Sequence, residues 1–240
     1  MKDYLARSRA ARYSILFALP LLVLYELSSL ALNGSPISGV RNGADVMLKS
    51  VFVGLLGGRG LLVFDVLLLG TGTVLVWRDI KRSEQPLSGR TFALMAGESA
   101  LYATLFGAVV GSLTALVLGA PRLLAMQAPA LSLQTKLVTS LGAGIYEELL
   151  FRVLLTGGLL ALLKGPFKLT RGAAPLAVVV SALVFSSFHY VGALGDTFTL
   201  QSFVFRAIAG LVFSGLFVMR GLGITAWTHA LYDIGITLLQ

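Results

Sequence analysis

Residues 133–163 read LQTKLVTSLGAGIYEELLFRVLLTGGLLALL, and the reading of this stretch decides the fold. It is apolar over most of its length and longer than the roughly 20 residues a helix needs to cross a bilayer core of about 30 Å. It is also long enough to be tilted, or broken at Gly142 or Gly144. Within it lie Glu147, Glu148 and Arg152. Each ionisable side chain at mid-span costs at least about 2.5–3.5 kcal/mol on insertion scales, so each points to function or to a buried partner.

The rest of the chain has the same character. Hydrophobic residues make up 56% of it and charged residues only 12%, with a mean hydropathy of +0.86. That leaves too little polar surface to cover a soluble globule, so lipid is the main solvent. Hydropathy and breakers place further spans at 13–32, 60–77, 91–119, 172–190, 198–219 and 222–239, which with 133–163 gives an all-α bundle of seven helices. An eighth would come from residues 45–57, apolar but short, as an interfacial or re-entrant helix would be. The basic residues before Tyr13 imitate a signal peptide, but the run that follows is long and has no small-residue cleavage site, which predicts a retained first span. No repeat or low-complexity linker divides the chain, so it reads as one membrane-embedded domain over 1–240, with a motif-bearing core at 133–240.

The net charge of +8 is carried by residues dispersed between apolar spans. They form no stripe, so they read as topology signals and not as a nucleic-acid surface. With the N-terminus in the cytoplasm, that side holds Lys2, Arg7, Arg9, Arg12, Arg78, Lys81, Arg82, Arg90, Lys164, Lys168, Arg171 and Arg220. The other side holds only Arg41, Lys49, Arg59, Arg122 and Lys136. This bias predicts a cytoplasmic N-terminus and, for seven spans, an external C-terminus. Glu147 and His189 then lie about 24 Å and 27 Å from the inner boundary, a matched depth in the outer half of the bilayer. His229, about 14 Å from Arg220, fits that depth less well.

Cysteine is absent, which removes disulfides, thiolate metal sites and a cysteine nucleophile. No GxSxG occurs, and Ser186 and Ser187 stand too near His189 on one helix to form a triad with it. Chemistry therefore falls to carboxylates and the chain's two histidines. The ionisable groups crowd the second half as Glu147, Glu148, Arg152, His189, His229 and Asp233, whereas Glu26, Asp65 and Glu98 stand isolated in the first. Glu148 and Arg152 are spaced i, i+4 with the acid first, the favourable order for a pair, while Glu147 points about 100° away. One carboxylate is thus paired, and the other is free to take a proton from water. His229 and Asp233 share a helix face at the same spacing.

Three patterns now stand in order: EExxxR at Glu147 to Arg152, FxxxH at Phe185 to His189, and HxxxN/D at His229 to Asp233. Together they resemble the CPBP family of membrane proteases, which includes the type II CAAX prenyl endopeptidases and bacterial Abi-like homologues. The resemblance implies a helical intramembrane endopeptidase acting on a membrane-associated protein or peptide. It also implies that Glu147 activates water with His189, while His229 and residue 233 assist at the scissile carbonyl. The departure is Asp233, where eukaryotic members carry asparagine. An aspartate donates to an oxyanion only when protonated, so here it reads as orienting His229 or ligating a metal. Two histidines and a carboxylate (Glu147, His189, His229) could hold Zn²⁺ with an open fourth position, or the same residues could work without metal, and the sequence leaves both open. The rival readings are a proton- or ion-coupled transporter, disfavoured by the missing inverted repeat, and a catalytically inactive scaffold or immunity protein.

Overall fold

The computed structural model describes residues 2–33, 39–83, 85–119, 131–169, 171–192 and 195–239, and Arg122 lies outside them. Every regular element among the described residues is helical. A short α1 (Lys2–Arg9) leads into α2 (Ala11–Asn33), and α3 (Gly43–Leu56) turns through a single 3₁₀ turn into α4 (Gly60–Arg82). Next come α5 (Gly89–Leu118), and α6 (Leu133–Gly142) running through a π-helical segment, Ala143–Thr156, into α7 (Gly157–Lys164). The chain closes with α8 (Ala173–Phe188), α9 (Leu200–Arg220) and α10 (Leu222–Leu239).

The distribution of polarity is that of a protein dissolved in lipid. Leu116 is 78% exposed and Leu55 76%, whereas Arg152 is fully buried and is the bulkiest side chain to be so. Among the described residues, four stretches are long and apolar enough to cross a membrane: Ala11–Leu32, Gly43–Arg82, Gly89–Leu118 and Leu200–Arg220. Within the second, α3 has 14 residues, a length of about 21 Å that falls short of the core. It folds back on α4, with Phe52 edge-on to Phe64 at 5.4 Å. The short apolar run at 45–57 is thus a real helix, of interfacial or re-entrant length.

One end of the bundle gathers α1, the start of α2, the end of α4 and the α9–α10 turn. Arg12 is tied to Asp79, its backbone N–H donating to Oδ2 at 3.0 Å. Arg220 donates to Glu98 at 2.6 and 2.7 Å and to Ser8 at 2.9 Å. Glu98 is therefore not isolated, contrary to expectation, because a residue 122 positions away supplies its charge partner. Helix α10 is central, packed against α2, α5, α6, α9 and the π-helical segment.

Two glycines permit the approach that builds the site. A Cβ on Gly142 would sit 2.5 Å from Tyr25 and 2.6 Å from the Asn42 side chain. On Gly144 it would sit 2.5 Å from the Ala230 Cβ and 2.7 Å from the Ala226 carbonyl. Of the two outcomes its length allowed, tilting or a break at Gly142 or Gly144, the span shows no break: it continues as helix, changing from α to π geometry at Ala143. The glycines act outward, as small residues do in membrane bundles, letting α2 and α3 close on one side and α10 on the other.

Candidate functional site

The π-helical segment presents two adjacent acids in different directions, and each finds its own partners. Glu148 is fully buried. Its Oε2 is 3.2 Å from Arg152 Nε, an ion pair whose geometry falls short of a hydrogen bond. Its Oε1 is 2.8 Å from His229 Nδ1. A π-turn inside a helix is a recurrent mark of functional sites, and here it carries both acids and the arginine.

Arg152 is held mainly by aromatic faces. Its guanidinium carbon lies 4.3 Å from the Phe185 ring centre and 5.3 Å from that of Phe213. No acceptor meets Nη1 or Nη2 among the described residues, so cation–π attraction and the Glu148 charge offset its desolvation. Phe185 is packed edge-on to Phe151 at 5.2 Å and to the His189 ring at 4.8 Å. The phenylalanine four residues before His189 is therefore the surface on which the arginine rests.

The two histidines are oriented by groups that only accept hydrogen bonds. His189 ends α8, and its Nδ1 is 2.9 Å from the Phe185 carbonyl. A carbonyl cannot donate, so Nδ1 carries the hydrogen and Nε2 is left bare to bind a proton or a ligand. By the same logic the Glu148 carboxylate places a hydrogen on Nδ1 of His229. The other nitrogen of that ring lies 3.6 Å from Asp233 Oδ2, and its face stacks on Phe213 at 4.3 Å. Behind His189 the chain is fastened down: Asp196 N–H donates to the His189 carbonyl at 2.8 Å, and the Asp196 carboxylate pairs with Arg206.

Glu147 is buried and makes no hydrogen bond to Arg152 among the described residues. All six residues singled out in the sequence thus lie around one region where α8, α10 and the π-helical segment meet. The serines near His189 serve the backbone, Ser186 bonding the Phe203 carbonyl and Ser187 that of Leu183.

Sequence reasoning missed one participant. Asn42, in the turn before α3, donates from Nδ2 to Glu147 Oε1 at 2.8 Å across 105 residues. Beside it, Glu26 also proves to be partnered: it accepts from Lys49 at 2.9 Å, from Arg41 at 3.2 Å and from Tyr146 at 2.5 Å. An Asn-Gly pair in a loop reads from sequence as a turn, and nothing local marks Asn42 as part of a distant site.

Among the described residues no group of three His, Asp or Glu side chains converges as metal ligands. Both nitrogens of His229 face carboxylates, at 2.8 Å and 3.6 Å, while the Nδ1 of His189 faces a backbone carbonyl.

Comparison with known families gives one match. The family model described as type II CAAX prenyl endopeptidase Rce1-like matches residues 129–235, the stretch that holds all six motif residues. Neither the curated proteins nor the solved structures yield a match.

Proposed function

From the match of residues 129–235 to the model described as type II CAAX prenyl endopeptidase Rce1-like, we propose that the chain hydrolyses a peptide bond of a membrane-associated protein or peptide, using Glu147 and His189 to activate water. The observation that carries this reading is the line Arg152–Glu148–His229–Asp233, buried up to His229, which spends one acid on holding a histidine and leaves the neighbouring Glu147 for chemistry.

The steps follow from the groups in place. A water held by the free oxygen of Glu147 and by Nε2 of His189 loses a proton to that pair as its oxygen attacks the scissile carbonyl. The carbonyl π electrons move onto oxygen, and His229, when protonated and held between Glu148 and Asp233, stabilises the oxyanion. Collapse of the tetrahedral intermediate breaks the C–N bond, and the stored proton passes to the leaving amine. Asp233 orients His229 in this scheme and does not contact the oxyanion. The scheme routes no step through a metal, in keeping with the ligand geometry.

The favoured substrate carries a lipidated cysteine near its C-terminus, in line with the family description. The favoured orientation places the N-terminus in the cytoplasm, on the strength of the basic-residue bias. A purified sample in lipid nanodiscs, given a farnesylated CAAX peptide, is expected to release the terminal tripeptide, read by mass spectrometry. Glu147→Gln is expected to abolish cleavage while eluting as the wild type does, because it removes the base and keeps the shape. Equal turnover by the two proteins would overturn the assignment.

A further inference from the structure

We infer that Asn42, which lies outside the matched segment, is a positioning residue for Glu147, so that the first half of the chain completes the site. The inference rests on the hydrolytic role proposed for Glu147.

The orientation of the Asn42 amide is fixed from both ends. Its Oδ1 accepts the Ala44 backbone N–H at 2.8 Å, and its Nδ2 donates to Glu147 at 2.8 Å. A flipped amide would set NH₂ against N–H and oxygen against a carboxylate, so only one rotamer satisfies both contacts. The backbone is held as well, since Asn42 N–H donates to the Tyr25 hydroxyl at 3.0 Å. Tyr25 in turn donates to Asp45 at 2.7 Å, and Asp45 is paired with Arg41 at 2.6 Å and Lys49 at 2.8 Å. Asp45 and Lys49 are buried, an expensive arrangement whose hydrogen-bonded end is Asn42. Gly142 makes room for that end, since any larger residue there would meet the Asn42 Cβ.

The consequence for Glu147 is geometric. Oε1 is occupied by the amide, so the carboxylate plane is fixed and Oε2 is the oxygen left for water. Without the amide, Glu147 can rotate, and the near-attack arrangement with His189 is lost.

Two substitutions separate this role from capping of α3. Asn42→Ser keeps an oxygen that can cap α3 but is too short to reach Glu147. Asn42→Asp keeps the shape and the cap but places carboxylate against carboxylate. With the farnesylated peptide, both are expected to lower kcat by about 100-fold with KM little changed. Thermal melting supplies a readout that needs no turnover. Losing a charge-assisted bond in a chain of this size corresponds to about 3–12 °C, so Asn42→Ser is expected to melt lower by that order when Glu147 is present. In a Glu147→Ala background the same change is expected to shift the melt much less. Equal shifts in the two backgrounds, or unchanged kcat in Asn42→Ser, would overturn the inference. If the wild type fails to cut the peptide while the melting cycle shows coupling, the substrate reading fails and the Asn42–Glu147 link stands.

Discussion

Replacing Glu148 by glutamine isolates the most costly element of the site. Arg152 is fully buried, and its nearest counter-charge is the Glu148 carboxylate, 3.2 Å away. Breaking a buried pair by removing one partner costs about 3–5 kcal/mol, because the remaining charge is left uncompensated. Here the Phe185 face at 4.3 Å persists in the variant and retains about 2 kcal/mol of cation–π attraction, which favours the lower end. About 3 kcal/mol corresponds to a loss of some 6–12 °C in melting temperature for a chain of this size. Intrinsic fluorescence can follow it, since Trp227 on α10 donates to the Phe17 carbonyl at 2.6 Å and reports the docking of the helix that carries His229. The double variant Glu148→Gln/Arg152→Met removes both charges and is expected to regain most of the loss, because apolar replacement of a buried pair is often neutral or stabilising. A single variant melting with the wild type, or a double variant melting below the single, would refute the account of Arg152.

Two further outcomes follow from the same structure. Dialysis against a strong chelator is expected to leave peptide cleavage unchanged, and the purified protein is expected to hold less than stoichiometric zinc. Joint loss of activity and zinc, both restored by added Zn²⁺, would return Glu147, His189 and His229 to a ligand role. For orientation, single cysteines placed at Gly192 and Lys168 in this cysteine-free chain are treated in intact cells with an impermeant maleimide. Labelling at 192 with protection at 168 is expected, and the reverse would put the site on the cytoplasmic side.

The sequence made the helices and the motif residues legible for one physical reason: against an apolar background, ionisable groups are costly and therefore conspicuous. The ends of α2, α5 and α9 fall within a few residues of the hydropathy reading because polar and glycine-rich loops bound them. The π geometry at Ala143–Thr156 was not legible, since the same residues satisfy an α pattern equally well. The partners of Glu26 and Glu98 were hidden by distance, Arg220 standing 122 positions from Glu98. Straight-helix counting set His229 well below Glu147, whereas in the fold Gly223 lies against the Ser14 backbone and His229 meets Glu148, the neighbour of Glu147. The 2.8 Å contact between His229 and Glu148 is a fact of tertiary structure that residue counting could not reach.

The adjacency of the two acids also has a tertiary explanation. On sequence grounds Glu148 served Arg152 alone, a purely local pair. In the fold it serves Arg152 and His229 together, so one carboxylate fixes a helix face and a histidine 81 residues away. A single acid could not do this and also accept a proton from water, because proton transfer would weaken the arginine pair in each turnover. In the proposed mechanism, dividing the work between neighbours would let Glu147 change its protonation state while Arg152, Glu148 and His229 keep their pairing. Consecutive side chains on this segment therefore meet different partners: Glu148 meets His229 and Arg152, and Glu147 meets Asn42.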